Sequence, residues 1–141
     1  MRLITVTAAL ILAATAVSAQ DRTPAAAGAE AYIISPKDGA KVPSTFVVQF
    51  GLKGMGIAPA GIKFDNTGHH HLLIDTEVPS DLSKPLPASD KIVHFGKGQT
   101  ETTLTTLTPG KHTLQLVLAD ANHIPHSPPV ISKKITITVV K

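Results

Sequence analysis

Residues 112–118 read His-Thr-Leu-Gln-Leu-Val-Leu, and this stretch predicts a β-strand more clearly than any other part of the chain. Leu114, Leu116 and Leu118 recur at every second position, and polar residues precede and follow Leu114. Side chains alternate between the two faces of a strand, so this pattern indicates one apolar and one more polar face. We therefore expect a fold built from strands that bury one face.

Six further stretches have the composition of short strands and are separated by turns rich in Gly and Pro. They are residues 31–34, 45–52, 69–75, 92–95, 100–107 and 134–140. The turn at residues 108–111 is expected to join its two flanking strands in a hairpin. No convincing helical period occurs after residue 19. The pattern predicts an all-β fold, an antiparallel immunoglobulin-like β-sandwich of about seven strands, with a small Greek-key barrel as the alternative.

The first 19 residues, MRLITVTAALILAATAVSA, have the three parts of a secretory signal peptide. Arg2 supplies the positive charge, an apolar run follows, and small residues predict cleavage after Ala19. The apolar run is shorter than the ~20 residues that span a bilayer, so no stable membrane insertion is expected after cleavage. Residues 20–30 predict a flexible tether before a single β-sandwich domain at residues 31–141. The product is expected to be periplasmic or secreted.

The composition excludes several classes of function. The chain has no Cys, which excludes disulfides and thiolate metal sites. Its 13 Lys and Arg residues are scattered and the formal net charge is only +3, so no nucleic-acid partner is expected. One Tyr and no Trp form a poor stacking platform for sugars or bases. Neither a phosphate-binding glycine loop nor a serine nucleophile motif is present.

Histidine is the unusual residue of this sequence, because all seven histidines lie between positions 69 and 126. Neutral imidazole offers a nitrogen lone pair near neutral pH and is a frequent ligand of Cu(II) and Zn(II). In a strand, His69 and His71 lie on one face and His70 on the other. An antiparallel pairing of this strand with residues 112–118 would bring the start of one to the end of the other. The predicted metal ligands at this rim are His69, His71, His94, His123 and His126.

Other residues near the rim have different predicted roles. Asp120 and Asn122 are expected to fix an imidazole tautomer. His112 is excluded from the site, because it begins the strand that ends before His123. We interpret it as a solvated residue at a strand edge. Met55 is either an axial metal ligand or, more simply, a side chain that fills a gap.

His70 shares its parity with the apolar Leu72 and Ile74, which indicates either a core histidine bonded to a backbone carbonyl or a ring that faces solvent. The metal itself is expected to be Cu(II) or Zn(II). Copper is favoured because it binds more tightly at a given nitrogen site.

Four runs of the sequence resemble a known family: GMGIAPAG at 54–61, NTGHHHLLID at 66–75, HFGKGQTE at 94–101 and NHIPH at 122–126. Together they are similar to the domain-of-unknown-function family 4399, over about residues 32–140. The resemblance implies a small exported bacterial β-domain and supplies no activity. The shared motifs coincide with the histidine-bearing segments, which implies a site at those segments.

Three functions compete on these grounds. The first is an exported non-catalytic metal-binding protein, a chaperone or buffer for copper or zinc. The second is an interaction module that binds an exported protein, a peptide or a glycan without metal. The third is an enzyme that holds a catalytic metal and uses Asp75, Glu101 or Asp120 as a base. The sequence favours them in that order.

Overall fold

A computed structural model describes residues 21–141, so the predicted signal peptide at residues 1–19 lies outside the described residues. No helix among the described residues is long and apolar enough to cross a membrane. This part of the chain is all-β. Its strands are β1 (Glu30–Ser35), β2 (Lys41–Val42), β3 (Phe46–Lys53), β4 (Gly56–Ile57), β5 (Thr67–Ile74), β6 (Ile92–His94), β7 (Glu101–Leu104), β8 (Gly110–Ala119) and β9 (Ile135–Val139).

All seven predicted strands are present, and two strands of two residues each, β2 and β4, were not predicted. The prediction that every pairing is antiparallel is wrong at these two. β2 pairs with β9 and β4 pairs with β5 in the parallel direction. Two residues are too few to show an alternating pattern, so such pairings leave no signal in the sequence.

The strands form two sheets. One has the order β1-β3-β7, and the other has the order β2-β9-β8-β5-β4 with β6 also paired to β5. The predicted hairpin between residues 100–107 and 112–118 is wrong, because β7 pairs with β3 whereas β8 pairs with β5 and β9. The turn at residues 108–111 therefore carries the chain from one sheet to the other. Turn residues in the sequence predict where the chain reverses direction, but they do not predict which strand the next strand pairs with.

Both sheets contribute to one hydrophobic core. From the smaller sheet come Val48 and Phe50, and from the larger sheet come Leu72, Ile74, Leu114, Leu116, Leu118, Ile135, Ile137 and Val139. Burying an aliphatic or aromatic side chain of this size stabilises the fold by about 1.5–3 kcal/mol. The chain has no Cys, so no disulfide adds to this contribution.

A second, smaller apolar cluster covers the outer face of the larger sheet. It contains Leu73, Leu86, Ile92, Val117 and Ala119. Leu86 comes from the Pro-rich loop at residues 77–90, which crosses this face. β5 is consequently covered on both faces, and every residue from Gly68 to Ile74 is buried. Any polar side chain on β5 is held away from bulk water.

The segment at residues 22–25, which the sequence places in a tether, lies along the loop that follows β8. The backbone N–H of Ala25 donates to the carbonyl of Ser127 at 3.0 Å, and the N–H of Ser127 donates to the carbonyl of Thr23 at 2.9 Å. Arg22 donates through Nε to the carbonyl of Pro125 at 3.0 Å and also bonds the carbonyl of His126. This segment is thus fixed against the 125–127 loop.

Candidate metal centre

β5 holds two imidazoles side by side. His69 and His71 lie on the same face, as predicted, with ring centroids 4.6 Å apart, and both are fully buried. The antiparallel pairing of β5 with β8, in which His69 lies opposite Ala119, places the loop after β8 next to this face. The topology therefore brings the start of β5 and the end of β8 to one rim, as the sequence indicated.

The loop after β8 contributes His123. This residue has a φ angle of 64°, in the left-handed region that residues other than Gly seldom adopt. Its backbone is held on both sides, because its N–H donates to the carbonyl of Asp120 and its carbonyl accepts from the N–H of Leu86. The His123 ring is half-buried and turns toward β5.

The three rings converge through named nitrogens. Nδ1 of His123 lies 3.0 Å from Nε2 of His69 and 3.4 Å from Nε2 of His71. One nitrogen from each of the three rings lies within 4.8 Å of the others. A metal with bonds of about 2.0–2.1 Å keeps adjacent tetrahedral donors about 3.3 Å apart. The cluster could therefore hold a metal ion after a small adjustment of the rings.

The environment of the cluster favours neutral imidazoles. Burial, followed by the charges of the neighbouring histidines, lowers the pKa of His69 to about 4 and that of His71 to about 2. Burial and the nearby His94 also lower the pKa of His123. A neutral ring keeps a free lone pair at pH 7, which is the form that binds a metal.

His94 lies beside the cluster. β6 pairs with β5 so that His94 is directly opposite His71, and the two ring centroids are 4.4 Å apart. The His94 ring is also 4.8 Å from that of His123, while its Nε2 is 3.4 Å from the carbonyl oxygen of Pro87. His94 is thus a neighbour of the three converging nitrogens and lies outside that group.

His126 does not join the cluster. Its ring is fully buried, and Nε2 is 3.1 Å from the carbonyl oxygen of Thr67, to which it donates. Its Nδ1 atom has no hydrogen-bond partner among the described residues. His126 thus connects the loop after β8 to the beginning of β5, and its Nε2 is engaged by the backbone.

Asp120 organises the loop and does not hydrogen-bond an imidazole among the described residues, whereas the sequence placed it behind a ligand. Its Oδ1 accepts from the backbone N–H groups of Asn122 and Ile124 at 2.8 and 3.1 Å, and its Oδ2 accepts from the Thr23 hydroxyl at 2.6 Å. Burial raises the pKa of Asp120, but the hydrogen bonds lower it by more, so the net shift is downward. The Asn122 residue is exposed and takes part through its backbone.

His70 lies on the face of β5 opposite to His69, as predicted, and that face packs into the core. Its ring centroid is 5.2 Å from that of Phe50, and burial lowers its pKa to about 4. The expected hydrogen bond to a backbone carbonyl is wrong, because neither ring nitrogen has a partner among the described residues. Met55 also packs against this core, which fits the gap-filling interpretation.

His112 is remote from the cluster, as predicted, but it is not a solvated edge residue. Its Nδ1 is 2.6 Å from Oδ2 of Asp75 and its Nε2 is 2.7 Å from the carbonyl oxygen of Thr108. The hydrogen bond with Asp75 raises the pKa of His112, against the opposing effect of burial. Asp75 is therefore engaged in an ion pair at the far end of β5.

Thr23 and Arg22 are two residues near the site that the sequence did not indicate. They precede the first predicted strand, in a stretch rich in Ala that has no alternating pattern. Their contacts with residues 120–127 depend on the tertiary fold alone. The only local feature is that Arg22 and Thr23 are polar, and adjacent polar residues are too common in sequences to indicate a site.

Comparisons with known proteins identify a family and a similar structure, and they give no function for the histidine cluster. Residues 48–140 match the model of a family described as "Domain of unknown function (DUF4399)", and the matched range contains all seven histidines. No curated protein matches the chain. Among solved structures, the chain is similar to the endo-beta-1,4-mannanase from Thermotoga petrophila, at 18% identity and a TM-score of 0.48. That similarity covers 80% of this chain and 20% of the mannanase chain, so the chain spans a fifth of the mannanase.

Proposed function

The chain belongs to the DUF4399 family, whose description names no activity, and from the geometry of the site we propose that it is an exported, non-catalytic metal-binding protein. The single observation that carries the proposal is the convergence of His69, His71 and His123, with one nitrogen from each ring within 4.8 Å of the others. The family match confirms the resemblance that the four sequence runs indicated. The function is argued from the site itself.

The donor set favours Cu(II) or Zn(II). All three converging atoms are imidazole nitrogens, which suit both of these borderline metals better than Ca²⁺ or Mg²⁺, whose ligands are oxygens. At equal geometry Cu(II) binds nitrogen sites more tightly than Zn(II). The metal would lie on the outer face of the larger sheet near the start of β5, between two fully buried rings and the half-buried ring of His123.

We propose His94 as the fourth ligand. It is half-buried and its ring packs against those of His71 and His123, so we expect a side-chain rotation to turn a nitrogen toward the metal. The contact that such a rotation gives up, between Nε2 and the carbonyl of Pro87, is long at 3.4 Å. His126 is left out of the ligand set, because its Nε2 is bound to the backbone of Thr67.

A binding role is favoured over an enzymatic one by the positions of the three candidate bases. Asp75 is paired with His112 at the far end of β5, and Asp120 is bound to Thr23 and to loop amides. Glu101 lies on β7 in the smaller sheet, where its carboxylate accepts a hydrogen bond from the side-chain amide of Gln49. Among the described residues, none of the three hydrogen-bonds an imidazole of the cluster.

Two further parts of the proposal concern the scaffold and the compartment. We propose an immunoglobulin-like β-sandwich, which is supported by two sheets that share one hydrophobic core. We also propose that the protein acts in the periplasm or outside the cell, which is supported by the signal-like sequence of residues 1–19.

Calorimetric titration of the untagged chain with Zn(II) and with Cu(II) tests the function. We expect one ion per chain with a Kd below about 1 μM, as is usual for a preformed nitrogen site. His71→Ala and His123→Ala should each weaken binding by at least 100-fold, whereas His112→Ala, a histidine outside the site, should leave it unchanged. If the unmodified chain binds neither metal, the alternative function, binding of a protein, peptide or glycan without metal, becomes the better explanation.

A further inference from the structure

We infer that Thr23 and Asp120 are positioning residues for His123, so that the segment at residues 22–25 forms part of the construction of the metal site. The inference rests on the proposed function. The side chains of Thr23 and Asp120 touch neither the metal nor its ligands, and their role is to hold the ligand His123 in place.

The first step is the turn that presents His123. Asp120 holds this turn through its side chain and through its backbone. Its carboxylate accepts hydrogen bonds from the N–H groups of Asn122 and Ile124, and its own N–H donates to the carbonyl of Ile124 at 2.9 Å. The N–H of His123 donates to the carbonyl of Asp120 at the same distance. A left-handed conformation at a residue other than Gly persists only where the surroundings fix it. Asp120 supplies that fixation at the N–H of His123 and along the turn, while the N–H of Leu86 holds the carbonyl of His123.

The second step is the carboxylate of Asp120 itself. Its Oδ1 atom is taken by the two loop amides, and its Oδ2 atom accepts from the Thr23 hydroxyl at 2.6 Å. With both oxygens engaged, the plane of the carboxylate is fixed. Thr23 therefore adds the second anchor, beside the two loop amides, that keeps the Asp120 carboxylate against the turn.

Thr23 is held in place by hydrogen bonds between its own segment and the loop at residues 125–127. The carbonyl of Thr23 accepts from the N–H of Ser127, Ala25 donates to the carbonyl of Ser127, and Arg22 donates to the carbonyl of Pro125. The segment at 22–25 thus binds the end of the 120–127 loop through its backbone and the start of the loop through Thr23. It joins the two ends of the loop that carries His123.

The consequence is a loop that is ordered before the metal arrives. If the ends were free, metal binding would have to order the loop as well, and the affinity would fall by that cost. Replacing residues that orient metal ligands from behind commonly lowers metal affinity by about 10–100-fold. The predicted cleavage after Ala19 leaves only three residues before Thr23, so the contact lies at the new amino terminus.

The test compares Thr23→Val with Thr23→Ser in the untagged chain. Val keeps the branched shape and removes the hydroxyl, whereas Ser keeps the hydroxyl. We expect Zn(II) affinity, measured by calorimetry, to fall by about 10-fold or more in Thr23→Val and to stay within about threefold in Thr23→Ser. With Cu(II) bound, the nitrogen hyperfine pattern in electron paramagnetic resonance should change in Thr23→Val and not in Thr23→Ser.

Asp38→Ala is the control for a merely structural effect. Asp38 also accepts from a backbone amide, that of Thr136 at 2.8 Å, but it belongs to a different turn that leads into β2. It should lower the thermal midpoint without changing the Zn(II) affinity or the copper spectrum. Asp120→Ala is the second variant for the site, and it should weaken Zn(II) binding by at least as much as Thr23→Val.

The outcomes separate the two claims. Binding by the unmodified chain together with unchanged affinity in both Thr23→Val and Asp120→Ala overturns the positioning role and leaves the proposed function intact. An affinity loss in Asp38→Ala as large as that in Thr23→Val also overturns it, because general destabilisation would then explain both. No binding of Zn(II) or Cu(II) by the unmodified chain overturns the proposed function, and the inference with it.

Discussion

Nδ1 of His123 lies 3.0 Å from Nε2 of His69, although 54 residues separate the two histidines in the chain. Two long-range features produce this contact: the antiparallel pairing of β5 with β8, and a left-handed turn that aims His123 back over β5. His71 completes the group from the same face of β5. The site thus combines a rigid strand with a loop that hydrogen bonds hold in place.

His70 provides a test of which face of β5 carries the site. His70→Leu should leave Zn(II) affinity within about threefold of the unmodified chain, because His70 faces the core and packs against Phe50. The same change should raise the free energy of unfolding by about 1 kcal/mol, since burying polar atoms without partners costs about 1–3 kcal/mol. Calorimetry and urea denaturation measure the two quantities.

His69→Leu and His71→Leu are the matched controls, because they make the same change at the flanking positions on the other face. Both should lose metal binding. A loss of binding in His70→Leu equal to that in His71→Leu would show that the division between the two faces of β5 is wrong.

Gly68 is predicted to be intolerant of any side chain. A Cβ atom there would lie 2.6 Å from the carbonyl oxygen of Ala119 and 2.8 Å from Cε1 of His126. The first contact is with backbone that is fixed by strand pairing, so Gly68→Ala should lower the free energy of unfolding by about 1–3 kcal/mol. Chemical denaturation of the purified variant measures this loss.

Gly51→Ala is a useful comparison for Gly68→Ala. A Cβ atom at Gly51 would lie 2.3 Å from the ring of Tyr32. This ring is a half-buried side chain and can shift more easily than the backbone oxygen that a Cβ atom at Gly68 would meet. The loss of stability should be smaller than in Gly68→Ala. The reverse order would mean that the Tyr32 ring is the more rigid of the two neighbours.

The pair of His112 and Asp75 predicts a dependence of stability on pH. Asp75 raises the pKa of His112 in the folded protein above its ordinary value of 6.5, so the protonated form stabilises the fold. This contribution is fully present below about pH 6.5 and is lost as the pH rises through the folded-state pKa. The unmodified chain should therefore exceed His112→Gln in unfolding free energy by more at pH 6 than at pH 9.

Urea denaturation of both proteins at the two pH values gives this comparison, in which other titrating groups cancel because they are common to both chains. A difference that stays constant from pH 6 to pH 9 would contradict the ion pair. A difference that grows with rising pH would mean that the pKa of His112 is lowered on folding.

The parts of the site that the sequence predicted are those that follow from local periodicity. The common face of His69 and His71 follows from strand parity, and the separation of His112 follows from its position at the other end of β8. The meeting of His123 with β5 required only one further assumption, that β5 and β8 pair in the antiparallel direction, and the structure confirms it.

The remaining features depend on tertiary contacts that leave no local pattern. Which of the two loop histidines turns toward β5 is decided by the conformation at His123 and by the carbonyl of Thr67, to which His126 donates. The pairing of β7 with β3 and the path of residues 22–25 along the loop are likewise long-range. Alternation along a strand cannot report any of these contacts.

The central claim is that imidazoles from β5 and from the loop after β8 bind one metal ion together. X-ray absorption spectroscopy of the untagged chain loaded with one equivalent of Zn(II) tests it most directly. The account predicts nitrogen donors at about 2.0–2.1 Å, with the outer-shell scattering of at least three imidazoles and fewer in His123→Ala. A spectrum dominated by oxygen donors, or one that is identical in His123→Ala, would contradict the account.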